Sequence, residues 1–269
     1  MEQVMEMDAG TLRKMQMIEL ELLVEIDRIC RKNHIKYNLC GGTLIGAVRH
    51  KGFIPWDDDV DIRMLRSEYK KFKEACKQEL DDTRFFLQDF ESDPKYRWGY
   101  AKLLRKDTVY IRTGQTHLGM KNGVFLDIFI SDGIPNQKWM RNIHDKLCFA
   151  IRKTLWSPVG AKVVPEKKLR VWYAVLARIP RCVPVFGIKI LSHLVSEKKS
   201  KYFRALTFPQ KRGLKKEWFT ELTDLEFEGH YFLAPADYDG WLSQEYGDYM
   251  KLPPEEKRTS HNTASYYKF

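Results

Sequence analysis

The stretch GGTLIGAVRHKGFIPWDDDVDIRM, positions 41–64, sets aspartates at 57, 58, 59 and 61 just behind a glycine pair and a basic Arg-His-Lys. Carboxylates this close repel one another. Nothing within the run offers them a partner, so the compensating charge is either a metal ion or solvent. In an extended strand alternate side chains share a face, which aims Asp59 and Asp61 the same way while Val60 and Ile62 enter the core. Two carboxylates about 7 Å apart along a strand converge readily on one or two divalent ions. Hard oxygen donors select Mg²⁺ or Mn²⁺ over zinc. The competing reading, an acidic turn in solvent, is weakened by the flanks FIPW and VDI, which are core-like and hold the acids against a packed wall.

Upstream, Gly41, Gly42 and Thr43 fall between an expected strand and an expected helix. Glycines there let backbone approach a phosphate, and helix N-terminal amides point at it. The spacing from Gly41 to Gly46 resembles a P-loop, but Ala47-Val48 stands where Lys-Ser/Thr is required, so that reading fails. A third element is Asp127 in VFLDIFI. An acid in an apolar strand is costly to bury uncompensated, so it either pairs with a buried Lys or Arg or completes the metal site.

Several elements must position these residues. Leu12, Met15, Ile18, Leu22, Ile26 and Ile29 recur at helical spacing and predict an opening amphipathic helix. HIKYNLC reads as a short strand, TLIGAVRH as a brief helix capped by Thr43, DVDIRM as a strand and SEYKKFKEACKQEL as a helix. Further strands are expected over 85–90, 98–105 and 123–130, a late one at LEFEG, and a helix from near Pro235. Mixed strands and helices of this length predict an α+β domain with a mixed sheet core. The expected division is a catalytic core over 1–135, a helical basic lobe or insertion over 136–215, and a C-terminal segment over 216–269 that packs back on the core.

The 269 residues suffice for a sizeable core. With 43% hydrophobic and 30% charged residues the chain is of globular composition. A net charge of +10 favours anionic partners, such as nucleotides, phosphate polymers or an acidic membrane face. Five scattered cysteines with no C-x-x-C pair argue against a disulfide framework and a cysteine zinc site. The acidic, amphipathic opening is neither a signal nor a transit peptide, so the expected compartment is the cytoplasm. The most apolar segment, 171–195, is interrupted by Arg178, Arg181, Lys189, Pro180 and Pro184. It reads as two short buried helices broken at the prolines, with a membrane-touching surface as the second reading.

The glycine pair, the Asp-x-Asp strand and the later Asp127 strand together resemble the nucleotidyltransferase fold. The longer pattern is more specific. GGTLIGAVRHKGFIPWDDDVDI, then GVFLDIFISDGIP, then FEGHYFLAPADYDGWLSQEYGDYMKLPPEEKRTSH is similar to the LicD family of phosphorylcholine transferases, relatives of the fukutin-type phosphosugar transferases. The resemblance implies a nucleotidyltransferase-like fold and transfer of phosphocholine from CDP-choline to a glycan hydroxyl, for instance on a teichoic acid precursor, with release of CMP. It implies Asp59, Asp61 and Asp127 as the catalytic, Mg²⁺- or Mn²⁺-holding carboxylates, and Gly41, Gly42 and Thr43 as the phosphate-facing turn. Ile130 departs from the family pattern, in a place often held by proline.

Arg49, Lys102 and Arg105 are candidates to flank the departing phosphate. A quaternary ammonium is held by aromatic faces, for which Trp56, Trp98 and Tyr100 are candidates, and the tail residue His261 is expected to close on the site. The implied partners are a CDP-linked donor and a glycan or lipid-linked glycan, with no nucleic acid and with peripheral contact at the inner membrane face. Three rival readings remain open: a transferase of a sugar- or polyol-phosphate from another CDP-type donor, a nucleotidyltransferase releasing pyrophosphate, and a non-catalytic polyanion-binding protein.

Overall fold

The chain opens with helix α1 (Ala9–Lys32), started by Asp8, whose carboxylate accepts a 2.6 Å hydrogen bond from the Thr11 amide. Of its predicted apolar stripe Leu12, Met15, Leu22, Ile26 and Ile29 are buried and Ile18 is half-buried, and Arg31 and Lys32 close the last turn. The computed structural model describes residues 5, 7–208, 213–260 and 263–269.

After α1 the chain runs through β1 (Asn38–Leu39), α2 (Gly41–His50), β2 (Asp61–Leu65), α3 (Arg66–Glu79), β3 (Phe85–Gln88), β4 (Ala101–Arg105), β5 (Val109–Arg112) and β6 (Phe125–Ile134). Helices α4 (Lys138–Val163), α5 (Lys167–Leu176) and α6 (Cys182–Leu194) follow, then β7 (Tyr202–Ala205), β8 (Leu214–Lys215) and α7 (Glu217–Thr220). The chain closes with β9 (Leu222–Phe227), β10 (His230–Pro235), α8 (Tyr238–Tyr246) and β11 (Ala264–Lys268).

The fold is α+β. A seven-stranded sheet has the order β1-β2-β6-β4-β3, with β7 beside the far half of β6 and β8 beside β7. Only the central pair β2–β6 is parallel; its other pairings are antiparallel. Every residue of β6 is buried, as a central strand covered on both faces must be. Helices α1 and α3 pack on it, and the main core continues through α2, β9, β10, α7 and α8, where the Trp218 and Trp241 rings stack at 5.7 Å. Strands β9–β10 and β5–β11 form two separate pairs.

Three of the expected features come out differently. Strand β2 begins at Asp61, so Asp57–Asp59 lie in the turn before it and not on a strand face. Helix α2 starts at Gly41 with Cys40 as its flanking residue, and Thr43 caps nothing. The 171–195 segment does form two helices parted around Pro180, but they are buried on one side only, through Tyr173, Ile188 and Leu191. Val171, Trp172, Val175, Val183, Phe186, Ile190 and Leu194 are exposed, Phe186 by 64%. The helices α4–α6 also concentrate the charge: residues 138–201 carry 15 Lys and Arg against three Asp and Glu. Within the stretch 136–215, β7 and β8 belong to the central sheet.

Candidate active site

The start of α2, the turn before β2 and the N-terminal half of β6 meet at one end of the sheet. Gly41 has φ +60°, and a β-carbon there would lie 2.9 Å from Asp61 Oδ2. A β-carbon on Gly42 would collide with Asp57 Oδ2. The glycine pair is therefore required sterically, because it lets a helix start press against two carboxylates. Thr43 locks the arrangement from inside the helix, its hydroxyl accepting from the Asp61 amide at 2.9 Å.

The turn itself is fixed from two sides. The Asp57 amide donates to Ile54 O at 2.9 Å, and Gln16 of α1 reaches across to donate to Asp57 O at 2.9 Å. Carboxylate oxygens of Asp57, Asp58 and Asp59 then all lie within 4.8 Å of one another, with Asp57 and Asp58 buried and Asp59 half-buried. Glu19 of α1 joins them from below, 1% exposed.

Burial, then repulsion from Asp59 and Asp58, pushes the Asp57 carboxyl up to about 8. Burial and the Asp59 and Asp127 charges hold Asp61 well above the usual carboxylate range. Burial does the same to Glu19, followed by Asp59, Asp58, Asp57 and Asp61. Asp61 Oδ1 is buried with no hydrogen-bond partner. A set of crowded oxygen donors with an orphaned buried acceptor suits a hard divalent cation such as Mg²⁺ or Mn²⁺, which would offset the mutual repulsion. The composition of the set differs from the sequence expectation, since Asp57 and Asp58 stand beside Asp59.

Asp127 pairs with buried Lys102, the first of the two alternatives posed by its sequence context. It is the register partner of Asp61 on one side and of Lys102 on the other. Its Oδ1 lies 2.7 Å from Lys102 Nζ, and its Oδ2 lies 3.8 Å from Arg112 Nη2. Burial lowers Lys102 to about 8, with the Asp127 charge opposing that drop. The Lys102 ammonium also sits 3.2 Å above the Phe125 ring centroid. One carboxylate thus joins the acidic cluster to a buried cationic pair.

Other candidates are dispersed. Arg49 lies at the far end of α2, roughly 12 Å along the axis from Gly41, where its Nη1 donates to Tyr249 O at 2.7 Å. Arg105 binds Glu21 of α1 at 2.9 Å, on the sheet face opposite Lys102. Trp56 is half-buried just before the acids, with the Arg258 guanidinium 5.7 Å from its ring centroid. Trp98 and Tyr100 line a separate cavity with Arg97, Arg112, Arg152 and Lys153. Those cations oppose a quaternary ammonium in that place. His261 lies outside the described residues.

Reading the sequence missed Glu19 and Arg112. Glu19 was findable, since it and Gln16 interrupt the apolar stripe of α1. Arg112 carried no signal, because β5 is only four residues long.

A mixed sheet with acids on two adjacent parallel strands, beside a helix opened by two glycines, is the arrangement expected of a nucleotidyltransferase-like core. Residues 34–146 match the LicD/FKTN/FKRP nucleotidyltransferase domain. Across 96% of its length the chain is 35% identical to the lipopolysaccharide cholinephosphotransferase LicD of Haemophilus influenzae, covering 98% of that protein. Shorter likenesses reach uncharacterized proteins of Rickettsia typhi (41% identity; 22% of this chain, 19% of that one) and Rickettsia prowazekii (46%; 18% of each). The chain belongs to the LicD family and is an enzyme, a LicD-like transferase.

Proposed function

We propose that the protein transfers phosphocholine from CDP-choline to a hydroxyl of a glycan acceptor, resembling a teichoic acid precursor, and releases CMP. The observation that carries this reading is the cluster Asp57, Asp58 and Asp59, beside Asp61 and its register partner Asp127, in a chain that aligns end to end with a cholinephosphotransferase.

In this reading Asp57, Asp58, Asp59 and Asp61 hold Mg²⁺ or Mn²⁺, and Gly41 and Gly42 keep the approach free of side chains. Such an ion, when bound, neutralises the diphosphate and stabilises the leaving oxygen. Asp127 receives the proton of the acceptor hydroxyl as general base. The acceptor oxygen forms its bond to the phosphorus beside choline while the bond to the CMP oxygen breaks, and CMP leaves with that electron pair. Lys102 and Arg112 keep Asp127 oriented and offset its charge.

Incubation with CDP-choline, CDP-ribitol or CTP decides among donors. CMP from CDP-choline is the expected product. CMP from CDP-ribitol alone moves the assignment to a polyol-phosphate donor, a reading favoured by the cations around Trp98 and Tyr100. Pyrophosphate from CTP would replace the reading with nucleotidyl transfer.

For a lipid-linked acceptor the partner surface is an anionic membrane face. On α6 the exposed Val183, Phe186, Ile190 and Leu194 form one apolar stripe, flanked by lysines and arginines of the same lobe. No helix among the described residues is long and apolar enough to cross a membrane. Vesicles containing phosphatidylserine should retain the protein at low salt and release it as salt rises. Phe186→Glu with Ile190→Glu should abolish retention, whereas indifference of the wild type to such vesicles removes the membrane from the proposal.

A further inference from the structure

A cavity of about 400 Å³ lies between the sheet end and α4, lined by Arg97, Arg112, Arg152, Lys153 and Thr207, among others. Among the described residues no aspartate or glutamate lines it. Two of its cations come from the sheet side and two from α4, so the concentration of charge is a product of the packing and not of one sequence run.

Like charges gathered around a partly enclosed space are costly, and the cations are only partly engaged. Arg97 Nε donates to Leu155 O at 3.1 Å, but its Nη2 is buried without a hydrogen-bond partner. Arg112 reaches Asp127 through Nη2, while its Nε is buried and unpartnered. The Thr207 hydroxyl is likewise buried without a partner. Lys153 donates to the Tyr173 hydroxyl at 2.9 Å, a neutral acceptor, and otherwise faces the rings of Phe149 and Trp156, with no carboxylate ion-paired to it among the described residues. Four cations and a threonine on one cavity match a tetrahedral oxyanion, whose several acceptors take N–H and O–H donors from different directions.

We propose that this cavity is a phosphate subsite, which takes a phosphoryl group of a substrate held by Arg97, Arg112, Arg152, Lys153 and Thr207. Arg112 joins it to Asp127, so a ligand anchored there has its neighbouring atoms at the proposed general base. The phosphate belongs either to the donor diphosphate or to a phosphate carried by the acceptor. That attribution rests on the transfer reaction proposed above; the anion site does not.

The test titrates inorganic pyrophosphate into the protein in EDTA at low salt, by calorimetry, so that no cation at the aspartates contributes. Binding by the wild type is expected, with Arg152→Gln/Lys153→Gln weakened by at least about tenfold, a change of about 1.4 kcal/mol. Both positions are half-exposed, and an unchanged circular dichroism spectrum and melting temperature establish that the variant folds. Lys146→Gln, an exposed change on the same helix, should bind as the wild type does. Absence of wild-type binding, or equal binding by the double variant, overturns the subsite. Steady-state kinetics then separates the sources. A raised KM for the CDP-linked donor assigns the donor diphosphate, and a raised KM for a phosphate-bearing acceptor assigns the acceptor. Lost pyrophosphate binding with both KM values unmoved overturns the substrate role.

Discussion

Two groups of buried acids sit at opposite ends of the β2–β6 pair and are treated in opposite ways. Asp132, near the C-terminal end of β6, is gripped by Arg66 through Nε and Nη2, one edge of the guanidinium, the longer contact being 2.7 Å. Burial raises its carboxyl and Arg66 pulls it back down. At the other end Asp57, Asp58, Asp59 and Asp61 crowd against one another and against Glu19. At one end a facing guanidinium offsets the buried carboxylate, whereas at the other burial and mutual repulsion both hold carboxyls above their usual range.

The strongest way to break this contrast is to remove charge at the crowded end. Asp59→Asn and Asp61→Asn should each lower transfer by about a hundredfold or more, a barrier change of at least about 2.7 kcal/mol. Relief of repulsion leaves the fold intact and raises the melting temperature of the metal-free protein. Either variant retaining more than about a tenth of wild-type turnover, near 1.4 kcal/mol, would contradict the assignment of these acids.

Asp132→Asn tests the opposite end. It strands the largely buried Arg66 charge and should destabilise the protein by about 3 kcal/mol, read as a lower denaturation midpoint. Turnover per folded molecule should be unchanged.

Asp127→Asn lies between the two cases, because Asp127 belongs to the cluster and is also ion-paired. A general base lost shows as reduced kcat with little change in donor KM. A purely architectural partner of Lys102 shows only as lost stability. Both quantities measured on one preparation decide which description holds.

The smallest effect is on pH dependence. A carboxyl raised on folding binds its proton more tightly in the native state, so its stabilising contribution is fully present at low pH and lost as pH rises. For Asp57 that window runs from the unfolded value near 3.8 up to about 8. The melting temperature of EDTA-treated protein should therefore fall between about pH 6 and about pH 8, and Mg²⁺ should restore more of it at the upper end. A flat profile without metal would mean that the cluster is already neutralised within the fold.

Much of the frame was legible because periodicity reports burial. The stripe of α1, the apolar alternation of β2 and the continuous apolar run of β6 each announce the face they bury. The acids at 57–61 were legible for the converse reason, since polar residues inside core-like flanks have no structural excuse. What stayed hidden depends on contacts remote in sequence. Asp59 was assigned to a strand because alternation cannot show where pairing begins. Arg105 looked equivalent to Lys102, yet three residues of offset send it to the opposite sheet face and to Glu21. Strands β5 and β11 pair across some 150 residues, and neither carries a pattern that names the other. The exposed apolar face of α5 and α6 looked like core, since hydrophobicity states a need for cover but not what provides it.

Ile134, where β6 ends, is the register partner of Tyr202, where β7 begins. The chain thus leaves and re-enters the sheet one strand spacing apart, about 4.8 Å. In topological terms the 67 residues between them are a hairpin loop grown to the size of a lobe. Loop-closure entropy rises only logarithmically with length, so such a loop can lengthen, shorten or be exchanged over evolutionary time without shifting the register of the sheet. Arg152 and Lys153 travel with it, whereas Arg97, Arg112 and every acid of the cluster stay behind. Lineages sharing this core can therefore rebuild one wall of the cationic cavity while inheriting the carboxylates unaltered.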